Sequence, residues 1–206
     1  MPINVLGSIG SAFIVLTPAP VPVAPTVLNG SFDSPTTTTR TQLQTSTVLT
    51  NYTIATFNNS TQLTLVSSNN FWIIRGTNAD FNQVAAPTTQ YIACAVGPTL
   101  NNSTRTTVTQ SITFTTNGTF FLTFQALRRN AVYPDMYNNF HQMRAIINGN
   151  VIRTTTLAVT DTTWTTYKTS FTVTAGTYPL VFESFLTQTI TGQSGILLTG
   201  ISITLT

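Results

Sequence analysis

The sequence predicts an all-β sandwich of two antiparallel sheets behind an extended N-terminal arm, and three observations carry the prediction. From Asn29 onward, short runs rich in Thr, Val, Ile and Phe follow one another, and these residue types suit a pleated, half-buried surface. Turn-forming pairs separate the runs, at Asn69-Asn70, Gly97-Pro98, Asn117-Gly118, Asn148-Gly149-Asn150 and Ala175-Gly176. No stretch repeats apolar residues at i, i+3, i+4 and i+7 for long enough to make a helix. A chain of 206 residues is the size of one such domain. It can bury roughly 70% of its unfolded surface without disulfides or a structural metal. Cys94 is the one cysteine, so no internal disulfide can form.

The elements follow in order. Residues 1–28 differ from the rest, with a weakly apolar run that includes Val5, Leu6, Ile9, Phe13, Ile14, Val15 and Leu16, then Pro18, Pro20, Pro22 and Pro25 at nearly alternate positions. Proline removes backbone donors and favours polyproline geometry, so residues 17–25 read as a stiff arm. The first basic residue is Arg40. A secretory signal wants a positive region before its apolar stretch and a membrane span wants about 20 apolar residues, and neither description fits. The body, residues 29–206, yields strands at 44–50, 61–66, 71–75, 91–95, 106–115, 120–127, 142–147, 151–157, 167–173, 178–185 and 196–205. Asn-Gly between strands signals a type I′ hairpin, which predicts hairpins around Asn117 and Asn148. Strict alternation places Val108, Gln110, Ile112 and Phe114 on one face, and Phe120, Leu122, Phe124 and Ala126 on one face of the following strand.

Composition narrows the function. Charged residues make up 6% of the chain, against about 25% in an average globular protein. With 45 Thr and 17 Asn, the surface is covered by hydroxyls and amides. The net charge of +3 comes from seven Arg and one Lys with no basic cluster larger than Arg128-Arg129. That is too thin for the phosphate neutralisation that nucleic-acid binding requires. Catalysis near neutral pH has only Asp33, Asp80, Asp135, Asp161, Glu183, His141 and Cys94 to draw on.

Read in order, several marks resemble the galactose-binding-like jelly rolls, in particular the carbohydrate-binding modules of the family 4/9 type and the related plant cell-wall modules. Asn29-Gly30-Ser31-Phe32-Asp33 looks like their opening Asn-Gly-Ser-Phe-Glu, and Gln90-Tyr91-Ile92-Ala93 like their second strand mark. Val108-Thr109-Gln110-Ser111-Ile112, followed by Gly118-Thr119-Phe120 and Phe124, is similar to the family's V-x-Q-x-I hairpin. Trp164, Tyr167 and Phe171, then Ala175-Gly176-Thr177-Tyr178 and the run from Gly195 to Leu205, match its last three strands. The resemblance spans residues 29–206 and implies a jelly-roll β-sandwich. Family members commonly hold a structural calcium between an acid near the opening motif and an acid in the last strand. Here the last-strand mark reads Thr199-Gly200-Ile201. With one carboxylate left, Asp33, a cation that wants six to eight oxygens is poorly served, and no metal or other cofactor is expected.

Residues 128–141 form the most loaded stretch: Arg128, Arg129, Tyr133, Pro134, Asp135, Tyr137, Asn138, Asn139, Phe140 and His141. The resemblance implies that loops at this end and the adjoining sheet bind sugar. Tyr133 and Tyr137 would stack on pyranose rings, and Asn138, Asn139, Arg128, Gln125, Arg144 and Glu183 would bond the hydroxyls. The same aromatics equally suit packing of the loop on the sandwich or burial against a neighbouring subunit. His141 with Asp135 could be drawn as a general-base pair and Cys94 as a nucleophile. Yet Ile92-Ala93-Cys94-Ala95-Val96 is a buried-strand context that does not activate a thiol. His141 has no second ligand at zinc spacing. Nothing in the spacing pairs Asp161 with Glu183 as glycoside hydrolysis would need. Trp72 and Trp164 sit among apolar neighbours and read as packing. These readings lead to a non-enzymatic structural protein: a capsid or surface-decoration component of a virus particle, anchored to other subunits by its arm. The alternative is a glycan-recognising module, extracellular or at a cell surface.

Overall fold

A computed structural model of the chain describes residues 18–34, 36–37, 40–42, 49–58, 61–63, 71–75, 86–96, 99–100, 104–128, 141–157, 163–187, 190–191 and 194–206. The described residues form fourteen strands, in the order β1 (Arg40–Gln42), β2 (Thr53–Asn58), β3 (Thr61–Leu63), β4 (Phe71–Arg75), β5 (Gln90–Val96), β6 (Thr99–Leu100), β7 (Thr104–Phe114) and β8 (Gly118–Arg128). They continue as β9 (His141–Ile147), β10 (Asn150–Thr156), β11 (Thr165–Val173), β12 (Gly176–Leu186), β13 (Ile190–Thr191) and β14 (Ser194–Leu205). No helix occurs among the described residues, and none is long and apolar enough to cross a membrane.

The strands form two six-stranded sheets, β1-β4-β5-β14-β8-β11 and β10-β9-β12-β7-β2-β3, with β13 and β6 as a separate short ribbon. Every pairing is antiparallel. This is the β-sandwich jelly roll that the strand marks imply. Alternation works as expected: Val108, Ile112 and Phe114 meet Phe120, Leu122, Phe124 and Ala126 in one core. Aromatic contacts cross the sheet interface, with Phe124 against Phe182 at 5.0 Å and Phe114 against Phe120 at 5.0 Å between ring centroids. Each such pair adds about 0.5–1.5 kcal/mol beyond its buried area.

The two predicted hairpins separate. At Asn148-Gly149 both residues have positive φ, 49° and 73°, and β9 pairs with β10 from Ile147↔Asn150 onward, as a type I′ turn demands. At Asn117-Gly118 the prediction fails. β7 lies in the second sheet and β8 in the first, so residues 115–117 cross between layers. Neither Asn117 nor Gly118 is among the residues with positive φ. Residues 174–175 make a parallel crossing from β11 to β12, and the Ala175 amide donates to Asn117 Oδ1 at 2.8 Å. The Asn side chain thus staples one crossing to the other instead of making a tight turn.

β2 lies between the strands expected at 44–50 and 61–66, and it follows a turn in which Asn51 has φ 68° and the Tyr52 amide donates to Leu49 O. Residues 43–48 lie outside the described set. The opening turn has a job of its own. Gly30 O accepts from the Ile201 amide at 3.1 Å, and a Cβ on Gly30 would overlap the Ile201 carbonyl oxygen. The end of the arm is clamped next to it: Gln110 accepts from the Leu28 amide at 3.1 Å and donates to Leu28 O and Asn51 O at 2.8 and 3.2 Å. This explains a glutamine on an otherwise apolar inward face, since it satisfies backbone groups that no strand pairs. Val5, Leu6, Ile9, Phe13, Ile14, Val15 and Leu16, proposed for the arm, lie outside the described residues.

Candidate functional site

The outward face of the second sheet carries the strongest arrangement of charge and aromatic surface. β7 alternates, so that Val108 and Gln110 point inward and Arg105, Thr107 and Thr109 outward. On β12 the outward positions are Val181, Glu183 and Phe185, and on β9 they are Gln142, Arg144 and Ile146. Register then sets two adjacent rows across the sheet. One reads Phe57, Arg105, Phe185, Gln142 and the next Ala55, Thr107, Glu183, Arg144.

Arg105 lies over the Phe57 ring at 5.4 Å and Arg144 over Phe185 at 4.1 Å. Both guanidinium groups flank one carboxylate, Arg105 Nη1 at 3.8 Å from Glu183 Oε2 and Arg144 Nη1 at 3.6 Å from Oε1. The carboxylate side chain is 11% exposed, whereas the two arginines are 41% and 40% exposed. Taking Glu183 out of water is costly unless positive charge accompanies it. Two guanidinium groups supply that charge, and the rings beneath them hold their planes. Each stacked pair contributes about 0.5–1 kcal/mol at such exposure. The result is a ridge in which ring faces, guanidinium edges and one buried carboxylate alternate within reach of a ligand lying on the sheet.

Beside it, where β2 begins, an open groove of about 420 Å³ is lined by Leu28, Tyr52, Thr53, Thr109, Gln110 and Ser111. Thr53 and Thr109 are partners across β2 and β7 and stand on the same outward side as Arg105 and Thr107. Ridge and groove are therefore one continuous surface. The Tyr52 hydroxyl is buried with no hydrogen-bond partner among the described residues, and burial raises its pKa.

Of the residues singled out in the sequence, Arg144 and Glu183 come together here. Tyr133, Tyr137, Asn138 and Asn139 lie outside the described residues, as do Asp135, Asp161 and Trp72's side chain. Gln125 does not join them. It stands on the outward face of the first sheet, where its Nε2 donates to Thr166 Oγ1 at 3.3 Å. Arg128 points inward instead of toward solvent and donates to Leu157 O at 3.4 Å from a buried position. Alternation from Phe120 onward puts residue 128 on the core side, a consequence that its charge concealed. Phe57, Arg105, Phe185 and Gln142 were not singled out. Phe57 sits in the unpredicted β2 and Arg105 one residue ahead of the predicted start of β7.

His141 and Ser184 hydrogen bond at 2.6 Å inside the sandwich. The pair has the outline of a base and a nucleophile. Both are buried, however, and burial together with the Arg128 charge pushes the imidazole pKa down to about 3. A base that weak takes no proton from a serine near neutral pH, so the bond is structural. Burial likewise pushes the Cys94 thiol up to about 12, which leaves it as a core residue. Trp164 packs edge-on against Tyr91 at 5.4 Å beside Ala93, Leu127 and Leu197. The calcium position of the resembling modules does not fit here. The Thr199 hydroxyl is committed to Gln90 O at 2.9 Å and to Thr88 Oγ1 at 2.5 Å. Asp33 is exposed, and the described residues contain no group of three or more His, Cys, Asp or Glu that could hold a metal.

No family model matches the chain, and neither does any curated protein sequence. Solved structures do match in fold. A cyclase from Fischerella sp. TAU aligns at TM-score 0.66 and 12% identity over 89% of this chain and 96% of its own. A second structure of that cyclase, in complex with 4-(1H-indol-3-yl)butan-2-one, aligns at TM-score 0.60 and 14% identity over 88% and 96%. A family 61 carbohydrate-binding module in complex with β-1,4-galactotriose aligns at TM-score 0.52 and 10% identity over 87% of this chain and 97% of its own. The fold is thus the jelly-roll β-sandwich that these structures share. At these identities the likeness extends to the fold alone, which hosts unrelated functions.

Proposed function

We propose that the chain is a non-enzymatic glycan-binding module, extracellular or surface-associated, with the outward face of its second sheet as the binding surface. The observation that carries this reading is the ridge itself: two half-exposed arginines, each stacked on a phenylalanine, around one nearly buried carboxylate. Phe57 and Phe185 hold the guanidinium groups of Arg105 and Arg144, the half-buried Val181 and Ile146 beside them offer an apolar strip for a pyranose ring, and Arg105, Arg144 and Gln142 supply directional partners for its polar groups. Thr107 and Thr109 extend the hydroxyl-rich surface into the groove. Tyr133, Tyr137, Asn138 and Asn139, expected from the sequence to bind the same sugar, precede β9 in the chain and lie outside the described residues. The galactotriose complex of the family 61 module supports a sugar role for this architecture. Binding without turnover is supported by three of the acid–base groups: His141 and Cys94 are buried, and Glu183 is flanked by two cations.

The test is a glycan array of neutral and acidic oligosaccharides probed with the whole chain and with Arg144→Ala and Phe185→Ala. The reading predicts signal for the native chain and its loss in both variants. No signal on any glycan, or full signal in both variants, would refute it. Product release from the bound glycans would refute the non-enzymatic part.

A second reading, a component of a virus particle held by its arm, draws on one observation. Val21 and Val23 are 78% and 61% exposed in the extended segment that precedes the Leu28 clamp. Deleting residues 1–25 leaves that clamp intact, so the truncated chain should fold yet fail to assemble. Assembly at the native level would remove this reading.

A further inference from the structure

We infer that the ridge selects acidic saccharides, uronate-bearing chains above all, by engaging their carboxylates with Arg105 and Arg144; this rests on the glycan-binding reading and specifies its ligand. The charge arithmetic points the same way at each step. The whole chain has five acidic residues, and among the described residues Glu183 is the one acid set in this ridge, against two arginines. Among the described residues the local balance is +1, on a surface otherwise built of Thr, Gln, Phe, Val and Ile. The arginine–carboxylate separations of 3.8 and 3.6 Å exceed hydrogen-bond distance. Glu183 therefore orients the guanidinium groups electrostatically without consuming their N–H donors.

Stacking on Phe57 and Phe185 holds the planes of those groups, and about 40% of each side chain is open to solvent. A fixed, exposed guanidinium edge matches the two oxygens of a carboxylate, and such bidentate pairs are roughly twice as strong as neutral hydrogen bonds. A neutral sugar would leave the excess positive charge uncompensated. Val181 and Ile146, half-buried in the next row across the strands, offer an apolar strip for a ring face behind the carboxylate. The ligand chemistry is then an apolar ring face beside a carboxylate, repeated along a chain that continues toward the groove at Thr53 and Thr109.

The experiment uses one scaffold with and without charge: oligogalacturonate and its fully methyl-esterified form, titrated calorimetrically against the whole chain. The acid should bind at least about tenfold tighter than the ester, a difference of about 1.4 kcal/mol. Its affinity should fall as NaCl rises from low to half-molar concentration, as screening requires. Arg105→Gln and Arg144→Gln should each weaken the acid about tenfold and bring it level with the ester, with Lys168→Gln on the opposite sheet as an unaffected control. Glu183→Gln should tighten the acid, the reverse of what a hydroxyl-binding carboxylate would do. Thermal melts establish that each variant is folded, and Arg144→Lys, which keeps charge and loses the fork, should recover part of the affinity. Equal, salt-insensitive binding of acid and ester would overturn the acidic selectivity and leave glycan binding standing. Binding of neither, together with a silent array, would overturn the underlying reading as well. Acid binding unchanged in both glutamine variants, or matched by poly-glutamate, would show that the ridge is not a saccharide site.

Discussion

Tyr91 on one outward face of the sandwich and Phe57 and Phe185 on the other are covered in opposite ways. On the first sheet Tyr91, Ala93, Leu127 and Leu197 are buried under Trp164 and Ala86. The rest of that face is Thr-rich, with cross-strand hydroxyl contacts such as Thr119 to Thr172 and one lysine over Phe121 at 3.9 Å. On the second sheet the partly buried Phe57 and Phe185 lie beneath guanidinium groups that remain two-fifths exposed. The difference shows that an outward aromatic is packing where the chain folds over it, and is the support of a surface charge where a half-exposed guanidinium lies over it. Trp164 was read from the sequence as packing, and its contact with Tyr91 agrees.

The largest predicted effect lies between the faces, in the layer on which both depend. His141 has its pKa depressed from 6.5 to about 3. The unfolded chain therefore binds a proton that the folded chain excludes, and stability falls as pH drops from about 6.5 toward 3. Each unit of depression is worth about 1.4 kcal/mol. Denaturant titrations between pH 7 and 4 should show a loss of several kcal/mol that His141→Gln flattens. An equally steep loss in that variant would place the effect elsewhere.

Trp164→Ala tests the covered face. It should cost about 3 kcal/mol of stability, read as a drop in the denaturation midpoint, while the folded protein keeps its glycan affinity. Phe185→Ala tests the open face and should invert the pattern. Stability should change by about 1 kcal/mol or less, and affinity should fall about thirtyfold, the size of a 2 kcal/mol contact. Parallel losses of stability and affinity in both variants would erase the distinction between the faces. The smallest effect is a null result that probes the core: with its thiol at about 12 and its side chain buried, Cys94 should resist alkylation at pH 8 until the chain is unfolded. Fast labelling of the native protein would mean that the sheet beside β14 opens.

Most of the strands could be read directly, because alternation such as Phe120, Leu122, Phe124 and Ala126 is a property of one segment. β2 escaped because Thr53-Ile54-Ala55-Thr56-Phe57-Asn58 follows a stretch at 44–50 with equally strong strand residues, and local preference cannot rank the two. Asn-Gly misled at one site and not at the other for a related reason. The dipeptide permits a tight turn at Asn148, where the flanking strands pair. At Asn117 the same dipeptide serves a crossing, because β7 and β8 find partners in different sheets. The site was half legible. Arg144 and Glu183 were found, but Gln125 was grouped with them although it belongs to the other sheet, and Arg128 was assigned to the surface although its register turns it inward.

The sequence by itself determined an all-β chain, a hydroxyl-covered surface, a shortage of catalytic groups, the buried Cys94 and the Asn148 turn. Each of these depends on composition or on neighbours within a few residues. Tertiary structure alone decided that Phe57, Arg105, Phe185 and Arg144, from four different strands, surround Glu183. Side chains on one strand alternate by a fixed rule. Which strand lies alongside which, however, depends on how two sheets close around a common core, and that is a property of the whole chain.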